Sequence, residues 1–231
     1  MYQPQRSASA LGAKQATLPK FSRHALALSL VLAFLSLARP TRAGAEDALA
    51  FVQQQHQRIE QVLREPASSA RDAQVRQLLG AFVDYDQLTR RSFGEPCPAS
   101  QPTCEDLWAG YSSDQRTEVR DLLEQLVRKK YEQSLVKTLD YDVTYRGSRD
   151  AGSETRVLTE AKNRVKVREP AVRVDYIVMQ TSQGYRVVDI VSEGSSLTKN
   201  YYDQFRKKMH DPNEGFANIV QKLREKIAKK E

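Results

Sequence analysis

The stretch Gly184–Phe205, GYRVVDIVSEGSSLTKNYYDQF, joins a strand ending to a helix start and sets the terms on which the rest of the chain can fold. Tyr185, Val187, Asp189 and Val191 share one face of an extended chain, and Arg186, Val188 and Ile190 the other, as a two-residue period requires. Both faces are largely apolar, so this strand is expected mid-sheet, covered on each side by helices or a ligand. Ser192 to Ser196 break the strand and offer Ser195 or Ser196 as a helix cap. Leu197, Tyr201 and Phe205 then recur every four residues, which places them on one stripe of a helix.

Working outward, Tyr141, Val143 and Tyr145 alternate with polar residues, as do Val165 and Val167, and Val172, Val174, Tyr176 and Val178 alternate again before a hairpin turn at Gly184. Upstream the period is helical. Helices are expected over 46–65, with Leu49, Val52, Ile59 and Leu63 facing the core, and over 70–83, followed by a short one that Asp86 could cap. The clearest starts at Ser112 or Ser113 and carries Val119, Leu122, Leu123, Leu126, Val127 and Tyr131. A last helix spans about 213–230 with Phe216, Ile219, Val220, Leu223 and Ile227 on one face. Helices, then consecutive antiparallel strands, then helices define an α+β domain: a curved antiparallel sheet with helices packed over one face.

Residues 1–45 read as an export signal. Arg6, Lys14, Lys20 and Arg23 precede the uncharged run Ala25–Ala38, and Thr41-Arg42-Ala43 and Ala43-Gly44-Ala45 offer small residues for cleavage. The 14-residue run is shorter than the roughly 20 residues a membrane span needs, and no Cys follows it for lipid attachment. Cleavage would leave one domain, 46–231. The leader takes six of the 36 basic residues, so 30 remain against 29 acidic ones and the net charge of +7 falls to +1. That balance is no nucleic-acid footprint.

Cys97 and Cys104 sit in a Pro-punctuated loop, where an oxidising compartment favours a local disulfide; two free or metal-bound thiols are the alternative. His56 and His210 stand at no ligand-like spacing, so no metal and no cofactor is expected.

The ordered motifs resemble those of the MlaC family. Gly184-Tyr185-Arg186-Val187-Val188-Asp189-Ile190, Glu193-Gly194-Ser195-Ser196-Leu197 and Asn200-Tyr201-Tyr202-Asp203-Gln204-Phe205 follow its C-terminal pattern, with Tyr185 in place of the usual Trp and Ser195 in place of Val. Phe93-Gly94, Trp108, Ser113-Asp114-Gln115-Arg116, Val174-Asp175-Tyr176 and Gly215-Phe216 match earlier and later signatures, and the cysteine loop is an insertion between Gly94 and Trp108. The resemblance implies a periplasmic carrier that takes the acyl chains of a glycerophospholipid into an apolar cavity between sheet and helices. It would pass that lipid between an outer-membrane lipoprotein complex and an inner-membrane MlaD-type complex of an ABC transport system. Candidate lining residues are Val143, Tyr145, Val174, Tyr176, Val178, Tyr185, Val187 and Val191 from strands, and Phe82, Leu88, Trp108, Leu122 and Leu126 from helices. Two bare acyl chains would expose roughly 30 methylenes at about 0.8 kcal/mol each, so a shallow groove would not serve.

Three rivals stand beside this reading. Another lipid cargo, such as a hopanoid, is one. An enzyme using Asp189 with Tyr176, Tyr185 or His56 is the second, although no nucleophile elbow, phosphate loop or metal spacing occurs. The third is an interaction module in which Leu197, Tyr201 and Phe205 are exposed.

Overall fold

The computed structural model describes residues 43–97 and 101–229, so all but the last three positions of the proposed leader lie outside the described residues. Within them, four helices come first: α1 (Ala43–Leu63), α2 (Ser69–Phe82), α3 (Tyr85–Ser92) and α4 (Ser113–Thr138). A meander follows, β1 (Tyr141–Ala151), β2 (Glu154–Asn163), β3 (Val172–Thr181), β4 (Gly184–Ser192) and the two-residue β5 (Ser195–Ser196), and then α5 (Leu197–His210) and α6 (Phe216–Ala228). The sheet is antiparallel, ordered β1-β2-β3-β4-β5, and open at both edges. The α+β class read from the sequence is the observed one.

The helix starts are local chemistry. Ser68 caps α2 by accepting from the Arg71 amide at 3.1 Å, and Asp84, not Asp86, caps α3 by accepting from Gln87 at 2.9 Å. Asp86 instead pairs with Arg90 one turn on, at 2.8 Å. At α4 the Ser112 hydroxyl accepts from the Gln115 amide at 3.3 Å while the Gln115 side chain accepts from the Ser112 amide at 2.9 Å, a reciprocal box that satisfies two orphan donors. Ser196 caps α5 through the Lys199 amide at 3.0 Å.

Two departures from the sequence reading have physical causes. Val165 and Val167 are not in a strand; they stand 72% and 66% exposed in the turn after β2. Asn163 ends that strand, its side-chain oxygen accepting from the amides of Val165 and Lys166 at 2.9 and 2.8 Å. The strand itself, Glu154–Asn163, shows no apolar alternation in the sequence because Thr155 and Thr159 share its buried face with Val157.

The second departure lies in β4. Asp189 pairs with Ile177 but Val187 pairs with Val178, so Val188 is an extra residue and the side-chain alternation changes phase. Tyr185 and Val187 therefore share the face of Val178, Ile190 and Ser192 share that of Tyr176 and Val174, and Asp189 and Val191 point the other way. Nor is β4 central in more than name, since its outer neighbour β5 is two residues long.

The cysteine loop is an excursion with pinned feet. Cys97 and Cys104 are joined in a disulfide, and beyond it the Leu107 and Trp108 amides both donate to the Phe93 carbonyl, at 2.9 and 3.2 Å. Gly94 adopts φ +86°, and a Cβ there would come within 2.2 Å of the Glu105 carbonyl oxygen, so the turn admits only glycine. Trp108 thus returns to its place on Phe93, its ring flanked by Arg90 and Arg116 at 5.8 and 5.6 Å.

Candidate functional site

The helix-covered face of the sheet is filled unevenly. Where β3 and β4 approach their hairpin, Val178 and Val187 meet Phe82 and Val157 in a fully packed layer, and Val83 bridges to Val187. Four residues along β3 from Val178, at Val174, the same face is hollow.

Three adjoining hollows share one residue, Tyr131 of α4. The first, about 340 Å³, lies between α1, β1 and the end of α4 and is walled by His56, Glu60, Tyr145, Val143 and Arg164. A second, about 270 Å³, runs over the sheet beneath the end of α4, walled by Val143, Thr159, Ala161, Val172 and Val174. The third, about 570 Å³, opens between α4, α5 and β4, walled by Val127, Ile190, Leu197 and Tyr201. Tyr176 lines the first two. Lining by hydrophobic side chains that are only half-buried, with a few convergent polar groups, is the pattern of a ligand cavity rather than of a packed core.

Four of the polar groups lie close together. The His56 Nδ1 and the Tyr145 hydroxyl are 2.8 Å apart, and the His56 ring stands edge-on to Tyr176 and Phe82, at 5.0 and 5.6 Å between ring centres. The Tyr131 and Tyr176 hydroxyls are hydrogen-bonded to each other. Burial pulls the His56 pKa down to about 4, against a smaller upward pull from Glu60, so the imidazole is neutral at pH 7. Burial also pushes Tyr145 up to about 12 and Tyr131 and Tyr176 above the ordinary phenol value. These four side chains are therefore uncharged at pH 7, while the Glu60 and Asp142 carboxyl groups and the Arg164 guanidinium line the same hollow.

Of the residues singled out in the sequence, Val143, Tyr145, Val174 and Tyr176 line the hollows. Phe82 packs behind Tyr176, the tilted rings 5.7 Å apart. Val178, Val187, Leu88, Leu126 and Trp108 lie in the packed core, with Leu122 partly buried against it. Tyr185 packs on Phe51 and donates to the Gly44 carbonyl at 3.3 Å, and Val191 lies on the opposite face of the sheet from Tyr176. The α5 stripe divides: Leu197 and Tyr201 face the third hollow while Phe205 stacks on Phe93 at 4.6 Å.

Tyr131, His56, Ile190 and Ala161 are lining residues that sequence reasoning did not nominate. Tyr131 was legible only as one more member of a core stripe.

Asp189 has both oxygens engaged. One accepts from the Ile190 and Thr198 amides at 2.8 and 3.0 Å, the other from the Ser196 hydroxyl at 2.6 Å, which braces the start of α5. It shares no site with Tyr176, Tyr185 or His56; the first of these bonds to Tyr131, the second reaches Gly44, and the third bonds to Tyr145.

An open antiparallel sheet, roofed by helices that pack tightly at one end and leave hollows with partly apolar walls at the other, defines the α+β fold. Residues 51–225 match the family model of the MlaC protein, and the chain belongs to that family. Among solved structures it is similar to the phospholipid-binding protein from Ralstonia solanacearum, determined in complex with a phospholipid. The two are 21% identical, with a TM-score of 0.64 over 78% of this chain and 97% of that one. No curated protein matches the sequence.

Proposed function

We propose that the protein is a periplasmic lipid carrier that shelters the acyl chains of a glycerophospholipid in the hollows around Tyr131. Exported by a cleavable leader within residues 1–45, the domain 46–231 would shuttle that lipid between an outer-membrane lipoprotein complex and an inner-membrane MlaD-type complex. The observation that carries this reading is a set of three hollows meeting at Tyr131, with Val143, Val174, Ile190 and Leu197 among their walls, in a member of the MlaC family. The phospholipid bound to the Ralstonia solanacearum protein supports the choice of cargo.

The chemistry of the walls favours binding over catalysis. A neutral His56, high-pKa tyrosines and a fully engaged Asp189 supply no base poised near pH 7. The hollows, about 270 to 570 Å³, are each no larger than a site for one drug-sized ligand, so a two-chain lipid draws on more than one and passes Tyr131.

Solvent extraction of the purified protein followed by mass spectrometry tests the proposal. A stoichiometric diacyl glycerophospholipid is expected. Recovery of a hopanoid would keep the carrier and change its cargo; recovery of no lipid from protein expressed in a lipid-replete cell would end the reading.

A further inference from the structure

The turn between β2 and β3 presents apolar side chains to water in a way that the fold does not require. Val165 and Val167 are 72% and 66% exposed, and with Val143 they are the large exposed hydrophobics among the described residues. They alternate with cations, Arg164-Val165-Lys166-Val167-Arg168.

This tip is tied by hydrogen bonds at its base and across its turn. Asn163, itself buried, accepts from the amides of Val165 and Lys166, Glu169 donates its amide to the Lys166 carbonyl at 3.0 Å, and the Lys162 ammonium donates to the Glu169 carbonyl. At its base the Arg164 amide donates to the Asp140 carbonyl at 2.7 Å and the guanidinium to the Leu139 carbonyl. An ordered backbone that exposes two valines has already met the entropy cost of ordering that a binding loop otherwise bears on contact.

The tip also stands beside the cavity. Arg164, at its base, and Val143, the third exposed hydrophobic, both line the first hollow.

We propose that the Val165–Arg168 tip docks the cavity mouth onto the headgroup layer of an anionic bilayer, the valines entering the interface and Lys166 and Arg168 meeting phosphates. This rests on the lipid-carrier reading and adds to it where the mouth meets its lipid source. The charges fit: residues 162–169 carry four cations and one anion, and with Asp142 pairing Arg164 at 3.4 Å and Glu169 pairing Lys166 at 3.1 Å the tip still keeps a net positive charge. The shape favours a bilayer over a protein. An exposed tip of a few residues without an aromatic anchor cannot bury the roughly 800 Å² a side of a stable protein interface, whereas headgroups close around a small projection. Each cation near an anionic surface is worth roughly fivefold in partitioning, so binding is weak, salt-sensitive and reversible, as a shuttle needs.

Cosedimentation of the purified protein with phosphatidylglycerol and with phosphatidylcholine vesicles, at low and high salt, tests this. Preference for phosphatidylglycerol that salt weakens is expected, with at least tenfold loss in the Val165→Asp/Val167→Asp variant and about fivefold or more in Arg168→Glu. Thermal unfolding and the amount of co-purifying lipid should be unchanged in both, since neither variant touches the cavity wall. Equal partitioning of wild type and variants, or no preference for the anionic vesicle, overturns the proposal. Slower lipid transfer to a purified partner protein by the valine variant, without any vesicle binding by wild type, would make the tip a protein-docking site and overturn it too. Absence of co-purifying lipid alongside tip-dependent vesicle binding would refute the carrier reading while leaving the docking surface standing.

Discussion

Along one face of β3, Val178 and Val174 are four residues apart and inhabit different materials. Val178 is 1% exposed, locked with Val187, Val157 and Phe82 at the packed end, whereas Val174 is half-buried on the wall of a hollow. Tyr176 stands between them, its ring against Phe82 on one side and its hydroxyl on Tyr131 at the other. The packed end holds α1, α2 and the sheet together, so the other end can leave apolar surface unfilled without melting. One continuous sheet thus serves as core and as container, and the same residue type does opposite work at its two ends.

The sharpest way to break that contrast is to place a charge at each end. Val187→Asp buries a carboxylate in the fully packed layer with no partner, so the variant is expected not to fold, beyond about 4 kcal/mol of destabilisation. Val174→Asp sets its carboxylate in a hollow that water can enter. That variant should keep a cooperative urea transition yet lose nearly all co-purifying lipid. A folded Val187→Asp protein, or a Val174→Asp protein with normal lipid content, would erase the distinction.

Truncation asks the same question more gently. Phe82→Ala removes a ring that is fully buried and packed at a tilt against Phe51 and Tyr176, for an expected loss of about 3–5 kcal/mol by urea denaturation. Val174→Ala should lose less than about 1 kcal/mol, because the methyls it removes are already only half enclosed.

Protonation probes the hollow end alone. His56 has a folded pKa of about 4 against about 6.5 unfolded, so the native state binds fewer protons between those values. Its stabilising contribution is complete above about pH 6.5 and is lost as pH falls toward 4. From pH 7.5 to pH 5 the loss amounts to about 2 kcal/mol. His56→Phe keeps a ring of similar size and should flatten the pH dependence of the urea midpoint over that interval. An unchanged slope in the variant would show that the imidazole is hydrated and that the first hollow is wetter than its walls suggest.

The helical layer was readable because stripes and some caps are local: Ser112 and Ser196 announce their helices within one turn of sequence. The sheet was half readable. β1, β3 and β4 alternate visibly, but β2 hides Thr155 and Thr159 among its buried positions, and the apparent strand at Val165 and Val167 is the exposed tip that follows it. The extra residue at Val188 is invisible to any two-residue period, which is why Ile190 rather than Val191 ends up beside Tyr176. The cavity was legible only through resemblance to a family. A residue facing a void and one facing a neighbour obey the same periodicity, so Tyr131 and Leu126 share a stripe while one lines three hollows and the other is core.

Helix α4 crosses from one material to the other, and its two halves are anchored differently. Its first turn is fixed by the Ser112–Gln115 box and by Arg116 donating to the Trp108 carbonyl at 3.0 Å, whereas Tyr131 and Ser134 near its end face the hollows. Ser112→Ala removes one cap acceptor at an exposed site and should lower stability by about 1 kcal/mol. Lipid content should stay the same, because the cap restrains the packed half and the cavity wall is the other. If the variant sheds lipid in proportion to its lost stability, α4 moves as one rod, and the hollow end depends on the packed end for its shape as well as for its anchorage.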